Sequence, residues 1–150
     1  MKIISGGQTG VDRAALDAAM DLGVDVGGWC PNGRKAEDGA IPDKYPLKET
    51  LSDEYPVRTE LNVCNSDFTL ILCSGKMTRG TALTARICER KQKPYMVINL
   101  DSKNIFFFNV IAPIIRNGYE EINFAGPRET MRTGIRKKAY EFVRRFLNEY

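Results

Sequence analysis

The feature that most constrains this chain is the hexapeptide Ser5-Gly6-Gly7-Gln8-Thr9-Gly10, set between the apolar Lys2-Ile3-Ile4 and the alanine-rich Val11–Met20. A short β-branched run, a glycine-rich turn and a helix make half of a βαβ unit, and such turns bind phosphate. Glycines at 6, 7 and 10 let the backbone pass close to a ligand, and the helix points unpaired N–H groups at the turn. The spacing matches neither the dinucleotide fingerprint nor the P-loop, so a ligand-free strand-to-helix turn stays open beside the phosphate reading. Asp12 and Arg13 fall in the first helical turn. Asp12 is either an ordinary first-turn acid or a site group, and Arg13 offers a guanidinium fork.

The rest of the chain repeats the alternation. Strands are expected at Val24–Gly27, Phe68–Cys73, Pro94–Asn99 and Glu120–Phe124, with helices near Arg58–Asn65, Thr81–Lys91, Lys103–Asn117 and from Thr130 onward. The nearly continuous apolar run Phe68–Cys73 is the mark of a strand buried on both faces. It leads into Ser74-Gly75-Lys76-Met77-Thr78-Arg79-Gly80-Thr81, a second glycine loop before a helix. The Gly75 to Gly80 spacing is that of a P-loop, but Thr81 stands where the P-loop lysine belongs, which excludes the Mg²⁺–nucleoside triphosphate reading. Lys103–Asn117, with Phe106-Phe107-Phe108, is expected as a buried helix bent or restarted at Pro113. The last helix should bury Ile135, Ala139, Phe142, Val143 and Phe146 and turn a basic face outward. The expected architecture is α/β: one Rossmann-like three-layer domain over residues 1–150, with a mainly parallel sheet of about five strands. In such a sheet ligands sit at the strands' carboxyl ends, where the loops after the first and third strands would share one molecule.

Residues 28–56 break the alternation. This Gly-, Pro-, Asp- and Lys-rich stretch holds Trp29, Arg34, Glu37 and Asp38. A loop of that length belongs to a site or packs Trp29 and Tyr45 over the surface.

Composition narrows the chemistry. The 150 residues contain no histidine, which removes Ser-His-Asp triads, Cys-His dyads, histidine metal sites and an imidazole base. Four cysteines without C-x-x-C spacing are expected reduced and buried. A net charge of +3 argues for neither nucleic acid nor a membrane surface. With no signal segment and no membrane-length apolar run, a cytoplasmic location is expected.

Taken as a set, Ser5–Asp17, Gly28–Pro31 with Gly33-Arg34, Ala36–Gly39, Arg58–Val63 with Ser66-Asp67, Gly80-Thr81-x-Leu83-Thr84, and Ala125–Glu129 resemble the putative molybdenum carrier (molybdenum cofactor carrier-like) family. That family lies in a circularly permuted branch of the Rossmann-like SLOG superfamily, which also holds nucleoside-monophosphate phosphoribohydrolases and proposed nucleotide sensors. The resemblance implies a binding or carrier protein for a phosphorylated heterocycle, with molybdenum cofactor (molybdopterin) or a nucleotide as ligand. It allows a homo-oligomer and a molybdoenzyme recipient. In the phosphoribohydrolases a P-G-G-x-G-T-x-x-E motif supplies a catalytic glutamate, and the corresponding position here is Thr84. A threonine cannot act as that carboxylate. No catalytic or metal-binding residue is therefore assigned. A hydrolase would need Glu37, Asp38 or Asp67 to reach the same place, and stays as the alternative, with a nucleotide sensor. The candidate ligand-binding residues are Gly6, Gly7, Gln8, Thr9, Gly10, Asp12 and Arg13, then Trp29, Arg34, Glu37, Asp38 and Asp67, then Gly75, Arg79, Gly80, Thr81 and Thr84. The two glycine loops, Arg79 and Arg34 are expected on phosphate, Trp29 on a ring face, and the acids on ring amino groups.

Overall fold

A computed structural model describes all 150 residues. The strands β1 (Lys2–Ile4) and β2 (Asp25–Gly27) are joined by the helix α1 (Val11–Asp21), which ends with Gly23 at a φ of 69°. Between β2 and the helix α2 (Tyr55–Cys64) the chain makes a 3-10 turn at Asn32–Arg34 and four two-residue strands: β3 (Trp29–Cys30), β4 (Lys35–Ala36), β5 (Gly39–Ala40) and β6 (Lys48–Glu49). Then follow β7 (Phe68–Cys73), α3 (Arg79–Arg90), β8 (Tyr95–Asn99), α4 (Phe107–Asn117), β9 (Glu121–Ala125) and α5 (Ile135–Glu149).

Five strands form one wholly parallel sheet in the order β2-β1-β9-β7-β8. The last strand in the chain thus lies at the centre, with Ile122 opposite both Ile3 and Phe68. Every residue of β7 is buried, as its continuous apolar run requires. Alternation divides its side chains between the layers. Phe68, Leu70 and Leu72 join Ile122 and Phe124 in the main core with α1, α4 and α5, while Thr69 meets Asn123. On the sheet's other side Val63 of α2 packs with Ile87 and Cys88 of α3. The five apolar residues expected inward on the last helix are all buried.

Several expectations change: the helix expected near Arg58 opens at Tyr55, and the last helix, expected from Thr130, opens at Ile135. The helix predicted from Lys103 starts at Phe107 and carries Pro113 within it. Its flanks are not buried: Phe106 and Phe108 are 68% and 78% exposed. The helix follows an edge strand and has only one face to pack, which takes Phe107, Val110, Ile111 and Ile114. The stretch from 28 to 56 is not structureless. It has its own small core of Leu16, Cys30, Ala36, Ile41, Tyr45 and Leu47, and parallel pairing of β3 with β6. Three cysteines are buried and Cys64 is half-buried, all as free thiols.

Candidate functional site

The carboxyl ends of β1, β9 and β7 open onto a cavity of about 300 Å³. Its floor is the end of β9 and the chain after it, Asn123–Pro127. Gly6, Gln8 and Asp12 form one wall and Thr78, Gly80, Leu83 and Thr84 the opposite one. The helix α2 closes a third side with Tyr55, Arg58, Thr59 and Asn62. Both glycine loops therefore contribute to one space, on either side of the central strand.

Two donors on residues of these walls have no partner. The Gln8 carboxamide is 5% exposed, and its Oε1 accepts from the N–H groups of Thr9 and Glu37, each at 3.0 Å. Two N–H groups on that oxygen fix the amide's orientation and leave Nε2 unpartnered in the interior. Arg58 donates from Nη1 to Asp12 Oδ2 at 2.8 Å, and its Nε is likewise buried and unpartnered. Asp12 also accepts from the Gln8 N–H at 3.2 Å, so one carboxylate holds both donor-bearing residues. Buried donors without partners are rare and costly, and here both belong to residues facing one cavity. Across from them α3 is capped by Thr78, whose side chain accepts from Thr81 N at 3.3 Å. That leaves the first-turn N–H groups of Arg79 and Gly80 outside the helix's own bonding.

The structure redistributes the other sequence candidates. The amino end of α1, expected to face a phosphate, is covered by the chain after β9: Val11 N donates to Pro127 O at 3.2 Å, and a Cβ on Gly10 would lie 2.4 Å from the same oxygen. Gly7 packs its backbone against Leu47 and Ile41. Arg13 is buried away from the cavity, donating to Gly7 O at 2.9 Å and in a fork to Asp38 at 2.5 and 2.7 Å. Those bonds hold the Asp38 carboxyl below its usual range. Glu37 is a clasp, accepting from Thr9 Oγ1 and from Thr130 Oγ1, the latter at 2.5 Å. Burial pushes its carboxyl up, but these hydroxyl bonds outweigh that and leave it lowered.

Arg34, expected on a ligand, instead staples the long loop. It donates to the carbonyl oxygens of Ile41, Pro42 and Tyr45 at 3.0, 2.8 and 2.9 Å. Trp29 pairs its backbone with the Asn62 carboxamide and does not line the cavity. Asp67 lies at the opposite edge of the sheet, because it precedes β7; it accepts from Glu120 N and Glu121 N, both at 2.9 Å. Gly75 lies outside the lining and Arg79 is exposed beside it, whereas Thr81 is buried as part of the cap. Thr84 does line the cavity and donates to Gly80 O at 3.1 Å. None of Glu37, Asp38 or Asp67 reaches this space, and Asp12 is the carboxylate that does.

Sequence reading missed Tyr55, Arg58 and Arg128 as cavity residues. Pro56 at the first turn of α2 is a helix-start signal that marks Tyr55 and Arg58 as first-turn neighbours.

Comparison with known proteins identifies the family and the fold. A model of the circularly permutated YpsA SLOG family matches residues 3–147. Among solved structures, a putative molybdenum carrier protein from Syntrophus aciditrophicus SB is 41% identical, with a TM-score of 0.89 over 97% of this chain and 94% of that one. No curated protein matches.

Proposed function

The chain belongs to the circularly permutated YpsA SLOG family, and from that premise we propose that it binds a phosphorylated heterocyclic small molecule in the cavity at the ends of β1, β9 and β7. The observation that carries this reading is the pair of buried, unpartnered donors, Gln8 Nε2 and Arg58 Nε. A phosphate oxygen accepting from both would satisfy them, and the bond to Arg58 is charge-assisted. Asp12 has the positioning role, holding the guanidinium by its other nitrogen. The first-turn N–H groups of α3 add a second donor set across the cavity.

Molybdenum cofactor is the leading candidate ligand, because the similar solved protein is named a molybdenum carrier and the cofactor is a pterin with a phosphate. Both unpartnered groups are hydrogen-bond donors, the polarity from which a phosphate accepts. In this reading the ligand is cargo, held by its phosphate and ring.

Gentle purification followed by mass spectrometry of released small molecules tests the proposal, together with titration of a phosphorylated ligand and its dephosphorylated form. The expected result is a preference for the phosphate that Arg58→Gln removes. Equal binding of both forms by the wild-type protein would overturn the reading.

A further inference from the structure

Tyr55 opens α2 and lines the cavity, and three cations stand over its ring. Lys35 Nζ and Arg128 Cζ are each 5.1 Å from the ring centroid, and Arg58 Cζ is 5.9 Å away. Two of the three, Arg58 and Arg128, also line the cavity, and they are held very differently. Arg58 is anchored on Asp12 at 2.8 Å with a side chain 13% exposed. Arg128 has Glu37 at 3.8 Å, beyond hydrogen-bond distance, and a side chain 35% exposed. Its guanidinium is a planar, delocalised cation held near an aromatic ring, with Cζ 5.1 Å from the centroid and no anchoring hydrogen bond.

A guanidinium plane stacks on an aromatic face much as a planar heterocycle does. We propose that Tyr55 is the stacking platform for the heterocycle, and that the ring takes the place on Tyr55 that Arg128 occupies. The inference rests on the cavity holding a phosphorylated heterocycle and says where its ring lies. Apolar edges from Pro56, Leu83 and Met131 line the same space. The unpartnered Nε of Arg58 belongs to the guanidinium that borders the Tyr55 ring, so the phosphate donor and the platform are neighbours, as one small phosphorylated heterocycle requires. Trp29, the other aromatic considered for this role, has Lys48 over its ring at 5.7 Å and lies outside the cavity.

The test compares GMP and neopterin monophosphate, which carry a ring, with ribose 5-phosphate, which does not, by calorimetric titration. Stacking on one aromatic side chain predicts that wild-type protein binds at least one ring-bearing probe roughly 5- to 150-fold more tightly than ribose 5-phosphate. Tyr55→Leu should bring that ratio close to one. Tyr55→Phe should retain the ratio, since stacking needs the ring and not the hydroxyl. Unaltered circular dichroism confirms that each variant folds. A ratio that survives in Tyr55→Leu, or wild-type protein that binds ribose 5-phosphate as tightly as both ring-bearing probes, overturns the platform while phosphate binding stands. Failure of all three probes to bind overturns phosphate binding and the platform together.

Discussion

The guanidinium of Arg58 fills the space in which a side chain at Gly6 would begin: a Cβ there would lie 1.6 Å from Arg58 Nη1 and 2.9 Å from Asp12 Oδ2. The obstacle is the end of a side chain, so Gly6→Ala is expected to fold and to push Arg58 off Asp12. Losing one charged hydrogen bond to the ligand costs about 1.5–3 kcal/mol, or roughly 10- to 150-fold in affinity. Gly10→Ala meets backbone instead, with Pro127 O at 2.4 Å and Glu129 N at 2.8 Å, at a φ of 80°. It should lose about 2 kcal/mol or more of stability in urea unfolding.

Asp12 and Arg58 make the most buried ion pair facing the cavity, with side chains 4% and 13% exposed. Asp12→Asn leaves the guanidinium inside without its counter-charge, and a loss of about 3–5 kcal/mol is expected. Combining Asp12→Asn with Arg58→Met removes both charges and should cost clearly less than the two single changes added. Denaturant titration of the four proteins in the cycle measures that coupling.

Acid should unfold the protein through specific carboxylates. Asp38 is lowered first by the hydrogen bonds of Arg13, and Asp67 first by the N–H of Glu121, against opposing burial and with help from Glu120. A carboxyl whose folded pKa lies below its unfolded value stabilises the fold above the unfolded pKa, and that contribution disappears as pH falls through the folded value. Stability is therefore expected to drop below about pH 4. Asp67→Asn and Asp38→Asn should each flatten that acid limb in thermal melts from pH 2 to 6.

Charges around the cavity should rank by burial. Arg58→Gln is expected to lower affinity for a phosphorylated ligand more than Arg79→Ala does, because Arg79 is exposed and outside the lining. Arg145, paired with Glu149 at 2.6 Å on α5, is the control, and Arg145→Ala should stay within about twofold of wild type. Impairment of Arg145→Ala alone, with Arg58 and Arg79 variants intact, would move the site to the basic helix.

Thr84 spends its hydroxyl on the Gly80 carbonyl at 3.1 Å. Purified protein is expected to release no free base from nucleoside monophosphates above background, read by chromatography. Turnover above background would instead make this an enzyme, with Asp12 the carboxylate that lines the cavity.

The alternation of apolar runs and helical segments made the sheet legible, and β7 most of all, because a run buried on both faces has a composition that few other elements share. Gln8, singled out within the first glycine loop, and Thr84, singled out by the family resemblance, both line the cavity. Arg34, Arg13 and Asp38 stand away from the cavity for a common reason: residue type says that a side chain can grip an anion or a cation, whereas only tertiary contact says whether it already holds a partner of its own chain. Arg58 was hidden by the reverse. It stands on a helix without a glycine motif, and it reaches the cavity because α2 packs against β3 across the Asn62–Trp29 bonds.

The central strand β9 is also the last to be synthesised. Until residues 121–125 leave the ribosome, β1 and β7 each have an unpaired edge, and the Ser5 hydroxyl lacks the Phe124 carbonyl to which it donates at 2.7 Å across 119 residues. The nascent chain can hold β2-β1 and β7-β8 only as two separate ribbons, with apolar faces open and edges ready to pair with other chains. Closure must wait for contacts of very long sequence separation, the class that slows folding. A chain stalled before Glu121 carries twelve of the nineteen residues that line the cavity and lacks its floor, Asn123–Pro127, so the site cannot close until the central strand is made.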